Sequence, residues 1–192
     1  MQDPKVIDSN TMGDPAHYRA LKNLERGLEA LPPAPTNQGQ VYLVVMKGHG
    51  GQRQTPMQVL LAPAAKIPGD DGHDKEDSDG DKQLTIMQRD VADLIANGQP
   101  LPLFGDNLFL DLDLSTENLP PGSRVRVGKA ILQVTPQPHN GCSKFRGRFG
   151  DNALRFVSKK ELRHRNLRGI YMRVIEGGEV CPGDRVEVLS RP

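Results

Sequence analysis

Residues 120–135 read P-P-G-S-R-V-R-V-G-K-A-I-L-Q-V-T. Two runs of alternating character, 123–127 and 130–135, flank Gly128-Lys129. That pattern predicts an antiparallel hairpin, and glycine at the first central position suits a type II′ turn. The second strand delivers the chain directly into T-P-Q-P-H-N-G-C-S-K-F-R-G-R-F-G, residues 135–150. Prolines and glycines there argue for a shaped loop rather than a helix or strand interior. A rigid sheet with a loop at its end is a common setting for reactive groups.

Working outward, further strands are expected at 41–46, 83–87, 169–176 and 185–189. Residues 48–53 read as a polar turn and 55–62 as the returning strand of a hairpin with 41–46. From Leu108 to Leu114 leucines alternate with Phe109, Asp111 and Asp113, a strand whose two aspartates face away from the leucines. Asp14-Pro15 signals a helix start, followed by Tyr18, Leu21, Leu24, Leu28 and Leu31 at helical spacing. A second helix is expected at 89–96, stopped by Asn97-Gly98. Short helical pieces are expected at 150–157 and 159–162. Many short strands and few helices make the fold mainly β, with a twisted or barrel-like core.

A chain of 192 residues is long enough to bury that core without disulfides or structural metal. With 4% aromatic residues and no Trp, the core must be mostly aliphatic. Two cysteines make no disulfide framework, and a Cys142–Cys181 bridge is not the expectation for a reduced, cytoplasmic setting. No window approaches the roughly 18–20 apolar residues of a membrane span, and the N-terminus lacks an apolar signal region. The net charge of +1 is unevenly placed. Residues 70–82 form an acidic segment, whose Asp77-Ser78-Asp79-Gly80 overlaps a calcium loop but puts Lys75 and Ile86 where ligands belong. A solvated loop is the better reading.

The basic stretch 144–173 begins at the cysteine loop. A thiol reacts and ligates as thiolate, a form that neighbouring cations favour. Cys142 is therefore the candidate nucleophile, sulfur carrier or metal ligand. Lys144, Arg146, Arg148 and Arg168 are the cations to contact an anionic ligand. His139 either raises the thiolate fraction or caps the loop, and Asn140 is placed to orient it. Cys181, in a tight turn before Pro182, is read as incidental.

The ordered series G-D-N-L at 105–108, the hairpin of 120–135, P-H-N-G-C-S-K-F, R-F-G, R-G-I-Y-M-R-V-I-E-G-G and V-C-P-G-D-R-V-E-V-L resembles the MOSC domain, named for the C-terminus of molybdenum cofactor sulfurases. The resemblance places a 1–40 extension with one helix before a MOSC domain at 41–190, with the acidic insertion at 70–82. It implies a pyruvate-kinase β-barrel-like fold and matches Cys142 to the family's characteristic cysteine. By that resemblance Cys142 carries sulfur as a persulfide or supplies a thiolate to the molybdenum of a molybdopterin cofactor. Pyridoxal phosphate enters by family association only, since so short a chain has no room for a desulfurase domain. The implied partners are a cysteine desulfurase or cofactor donor and a separate redox partner.

Two rival readings use the same residues. One is a β-barrel module for nucleic acid built on the 144–173 run, although few aromatics (Phe145, Phe149, Phe156, Tyr171) interleave its cations. The other is a molybdenum-dependent reductase of N-hydroxylated substrates. Nothing in the chain binds flavin or haem, so its electrons would come from other proteins.

Overall fold

The computed structural model describes residues 7–64 and 80–192. The chain opens with a single 3-10 turn, Pro15–His17, capped by the Asp14 carboxylate, which accepts from the Ala16 amide (2.9 Å). The helix proper, α1, is Leu21–Ala30. The expected single helix from Asp14 is thus two pieces, because Tyr18 and Ala20 adopt extended backbone. Strands β1 (Gln38–Val44), β2 (Met46–Lys47), β3 (Arg53–Gln54), β4 (Val59–Leu61) and β5 (Leu84–Gln88) follow. Helix α2 (Arg89–Ala96) ends on Asn97 in the left-handed conformation, φ +49°. Strands β6 (Leu108–Leu110), β7 (Arg124–Val127) and β8 (Ala130–Val134) precede helix α3 (Ser143–Val157). A 3-10 segment, Lys160–Arg165, leads to β9 (Ile170–Glu176), β10 (Gly178–Val180) and β11 (Arg185–Ser190).

Seven strands close into a barrel in the order β1-β11-β7-β8-β9-β5-β6, with β6 pairing back onto β1. Every neighbouring pair in it is antiparallel except β5–β6, whose ends are joined through α2. A parallel pair needs such a crossover, whereas the β7–β8 pair needs only its two-residue turn. In that turn Gly128 takes φ +57° and Lys129 does not take a positive φ, as the type II′ reading requires.

Two expectations about pairing change. Residues 55–62 do not return along β1. Instead β3 pairs with β2 in a short ribbon, and β4 pairs with β10 across the chain. Gly178 starts β10, which Gly177 alone separates from β9. The strand at Leu108 stops at Leu110, because beyond it the Leu114 amide donates to the buried Gln88 side chain (3.1 Å) and Asp113 caps Ser115 (2.9 Å). Leu112 and Leu114 remain fully buried without being in a strand.

The core is two clusters on either side of the barrel wall. Inside lie aliphatic residues such as Leu84, Ile86, Leu108, Leu110, Val125, Val127, Leu132, Met172 and Val186. Outside, between barrel and helices, lie Leu24, Leu28, Met87, Val91 and Ile95 with all five phenylalanines of the chain. The barrel interior is therefore aliphatic as expected, while the aromatic residues concentrate in the helical layer. Alternation along β6 explains this: Leu108 and Leu110 point inward and Phe109 points to the helices, so both faces are buried. The acidic segment and the calcium reading at 77–80 lie almost wholly outside the described residues. No helix among the described residues is long and apolar enough to cross a membrane.

Candidate functional site

Cys142 sits where β8 has handed the chain to α3. The loop between them starts pinned, with the Thr135 amide donating to the Tyr171 carbonyl (3.1 Å) and its hydroxyl to the Asp81 carbonyl (2.6 Å). The loop expected to run to residue 150 ends at Cys142, which is the N-cap of α3, its carbonyl accepting from the Arg146 amide (3.0 Å). The thiol is exposed and free. The unpaired amides of a helix start carry partial positive charge and favour an anion beside them. Because Ser143 onward is helical, Lys144 and Arg148, four residues apart, share one face and line the cavity with Cys142.

That cavity is about 470 Å³, within the range of small-molecule and cofactor sites. Among the described residues six cations line it: Lys47 from β2, Arg53 from β3, Lys82 ahead of β5, Lys144 and Arg148 from α3, and Arg168 ahead of β9. Among those residues one carboxylate, Asp106, is on its wall. Arg148 is buried, and burial pushes its pKa below the ordinary value, opposed by nearby Cys142, Asp106 and Asp8.

The deepest part of the wall is a charged cluster. Arg168 Nη1 donates to Asp106 Oδ2 at 2.7 Å, their side chains 8% and 1% exposed. The guanidinium also lies over the Phe145 ring, 5.1 Å from its centroid. His139 packs against Tyr171 with ring centroids 4.6 Å apart. Its Nδ1 is 3.7 Å from Asp106 Oδ1, too far for a hydrogen bond. Burial first, then the Arg168 charge, lower the His139 pKa from 6.5 to about 4 against the pull of Asp106. Near neutral pH it is an uncharged imidazole, so no histidinium stands beside Cys142. Two buried nitrogens in this cluster, Arg168 Nε and His139 Nδ1, have no hydrogen-bond partner. Such groups are costly to leave unmade and mark where a polar ligand gains most.

Of the residues expected at the site, Cys142, His139, Lys144, Arg148 and Arg168 line the one cavity. Arg146 does not; it points outward, exposed, 3.8 Å from Asp151. Asn140 is exposed and also absent from the cavity wall. The basic run itself divides, since Lys159 pairs with Glu25 and Arg173 with Asp81 (3.3 Å), away from the cations of the cavity. Asp106, Lys47 and Arg53 were not expected there. Asp106 carried a signal, as part of the G-D-N-L segment, whereas Lys47 and Arg53 come from the β2–β3 ribbon, whose place at the cavity no local signal gives. Cys181 is free and lines a different cavity, among Lys129, Glu179 and Asp184.

A family model of the MOSC domain matches residues 48–187. The chain belongs to the MOSC domain family. This MOSC-domain protein is 38% identical over 88 residues to protein YflK of Bacillus subtilis. It is 32% identical over 90 residues to a Gibberella moniliformis protein named "Reductase". Each match spans 46% of this chain, but only 37% of YflK and 15% of the fungal protein. Among solved structures, YuaD of Bacillus subtilis superposes with a TM-score of 0.60 at 18% identity, over 81% of this chain and 97% of that one. YiiM of Escherichia coli gives 0.54 at 23% identity, over 80% and 71%. At these identities the likeness establishes a shared fold.

Proposed function

We propose that this MOSC-domain protein binds the molybdenum cofactor, or holds a sulfur atom bound for it, through the Cys142 thiolate. The observation that carries the reading is the convergence of one exposed thiol and six cationic side chains on a single cavity. The donor set fits such a group. Among the described residues no three of His, Cys, Asp and Glu cluster to chelate a metal ion. A metal that arrives with ligands of its own, as in a dithiolene cofactor, needs little more than one protein sulfur. A soft sulfur donor suits such a metal, and the cofactor's phosphate calls for cations. Cys142 would be its protein ligand, with Lys144 and Arg148 neutralising its anionic groups and the orphaned Nε of Arg168, whose charge Asp106 balances, available as a further donor. When bound, the cofactor would supply a redox-active metal centre. In the carrier variant of the reading, the thiolate attacks the outer sulfur of a donor persulfide and the donor's thiolate leaves.

The fungal relative's name, "Reductase", favours a redox role as the second reading. Electrons and substrate would then come from separate partners. Elemental and pterin analysis, with intact mass, on protein purified anaerobically from a cofactor-competent host decides the primary claim. The expected result is molybdenum and pterin, or one added sulfur, in the wild type and neither in Cys142→Ser. Equal retention by both proteins would remove Cys142 from the account.

A further inference from the structure

The segment ahead of the barrel reaches the cavity although it lies outside the matched residues 48–187. It is anchored firmly at its far end. The Asp14 amide donates to Gln99 Oε1 (2.7 Å), the Gly13 amide to the Gly147 carbonyl (3.2 Å), and the Tyr18 hydroxyl to the same carbonyl (2.8 Å). Residues 7–12, before that anchor, are held differently. They fold on themselves, with the Asp8 amide donating to Thr11 Oγ1 (2.9 Å) and that hydroxyl donating to Asp8 Oδ1 (3.0 Å). Ile7 packs on the edge of the helical cluster and its carbonyl accepts from the Arg53 amide (2.6 Å). Ser9 lies on the cavity wall, and its carbonyl accepts from Arg148 Nη2 at 2.9 Å.

That last bond is the informative one. Arg148 is 5% exposed, a buried cation facing a cavity, and this bond pairs it with a neutral carbonyl. A guanidinium binds a carboxylate or phosphate oxygen more strongly than an uncharged acceptor. We propose that residues 7–12 form a displaceable lid, the Ser9 carbonyl holding the place at Arg148 that an oxyanion of the ligand takes when the lid opens. The proposal rests on reading the cavity as an anion site. It makes apparent affinity depend on how often the lid is open, since a closed lid reduces binding by the open fraction.

Inorganic phosphate is a sufficient probe, with hydrogen exchange of residues 7–12 and calorimetry on the full chain. Phosphate should bind and speed exchange of the 7–12 amides. Thr11→Val, which removes the hydroxyl that closes the turn without changing charge, should tighten phosphate binding by roughly three- to tenfold. Ile7→Ser should do the same through the packing contact. Phosphate that binds while exchange in 7–12 stays unchanged or slows would overturn the lid, as would unaltered affinity in both variants. Absence of phosphate binding would also overturn it, while molybdenum retained by Cys142 in the elemental analysis would show the cofactor reading intact.

Discussion

Asp106 shows how a residue's role depends on a partner far along the chain. Arg168 stands 62 residues away, and the two meet only because β5, β6 and β9 are neighbours in the barrel. Sequence reading could select Arg168 as an anion contact but not see that its charge is compensated by a carboxylate. Removing that carboxylate leaves a buried guanidinium without a counter-charge, so Asp106→Asn should cost roughly 3 kcal/mol of stability, read from urea unfolding. A loss under about 1 kcal/mol would mean solvent already compensates Arg168. His139 makes a separate prediction. The folded protein keeps it neutral to about pH 4, whereas the unfolded chain takes up the proton near 6.5. Between those values the unfolded chain binds more protons. Stability therefore falls as pH drops from 6.5 and levels off below about 4, by on the order of 3 kcal/mol in all. His139→Phe keeps a ring against Tyr171 and should flatten this limb in unfolding measured across that range. An equally steep acid limb in the variant would assign it to other groups.

At the level of elements, legibility followed the range of the interaction. The β7–β8 hairpin and α2 were readable because their signals are local: a glycine turn in one, an Asn-Gly stop in the other. The pairing of β4 with β10 was not, since its partner lies near the other end of the chain. The start of α3 was missed for a different reason. Gly147 and Gly150 made the segment look like a loop, yet only Gly150 breaks the helix, with φ +87° and ψ 168°. This kink packs against Tyr18, whose ring would lie 2.8 Å from a Cβ added at Gly150. Gly150→Ala meets both the positive φ and that ring, and should destabilise by at least about 1 kcal/mol. The shift in thermal midpoint measures it, and the same glycine substitution should cost less in a Tyr18→Ala background than in the wild type. An equal cost in both backgrounds would mean that the backbone conformation alone sets it.

Across the whole molecule, composition indicated an aliphatic core and the order of motifs indicated the family, and both hold for the barrel. What neither could give was the second cluster. The five phenylalanines gather between helices and barrel wall, where Phe145 supports the Arg168 guanidinium. The start of α3 thus carries Cys142, Lys144 and Arg148, the β2–β3 ribbon supplies Lys47 and Arg53, and the approaches to barrel strands β6 and β9 supply Asp106 and Arg168. None of these makes the site alone. The claim that depends on this assembly is that Cys142 presents its sulfur to a metal delivered into the cationic cavity. The most direct measurement is the molybdenum X-ray absorption spectrum of the cofactor-loaded protein beside that of the free cofactor. The account predicts one more sulfur neighbour at molybdenum in the protein than in the free cofactor. Identical sulfur coordination in the two would contradict it.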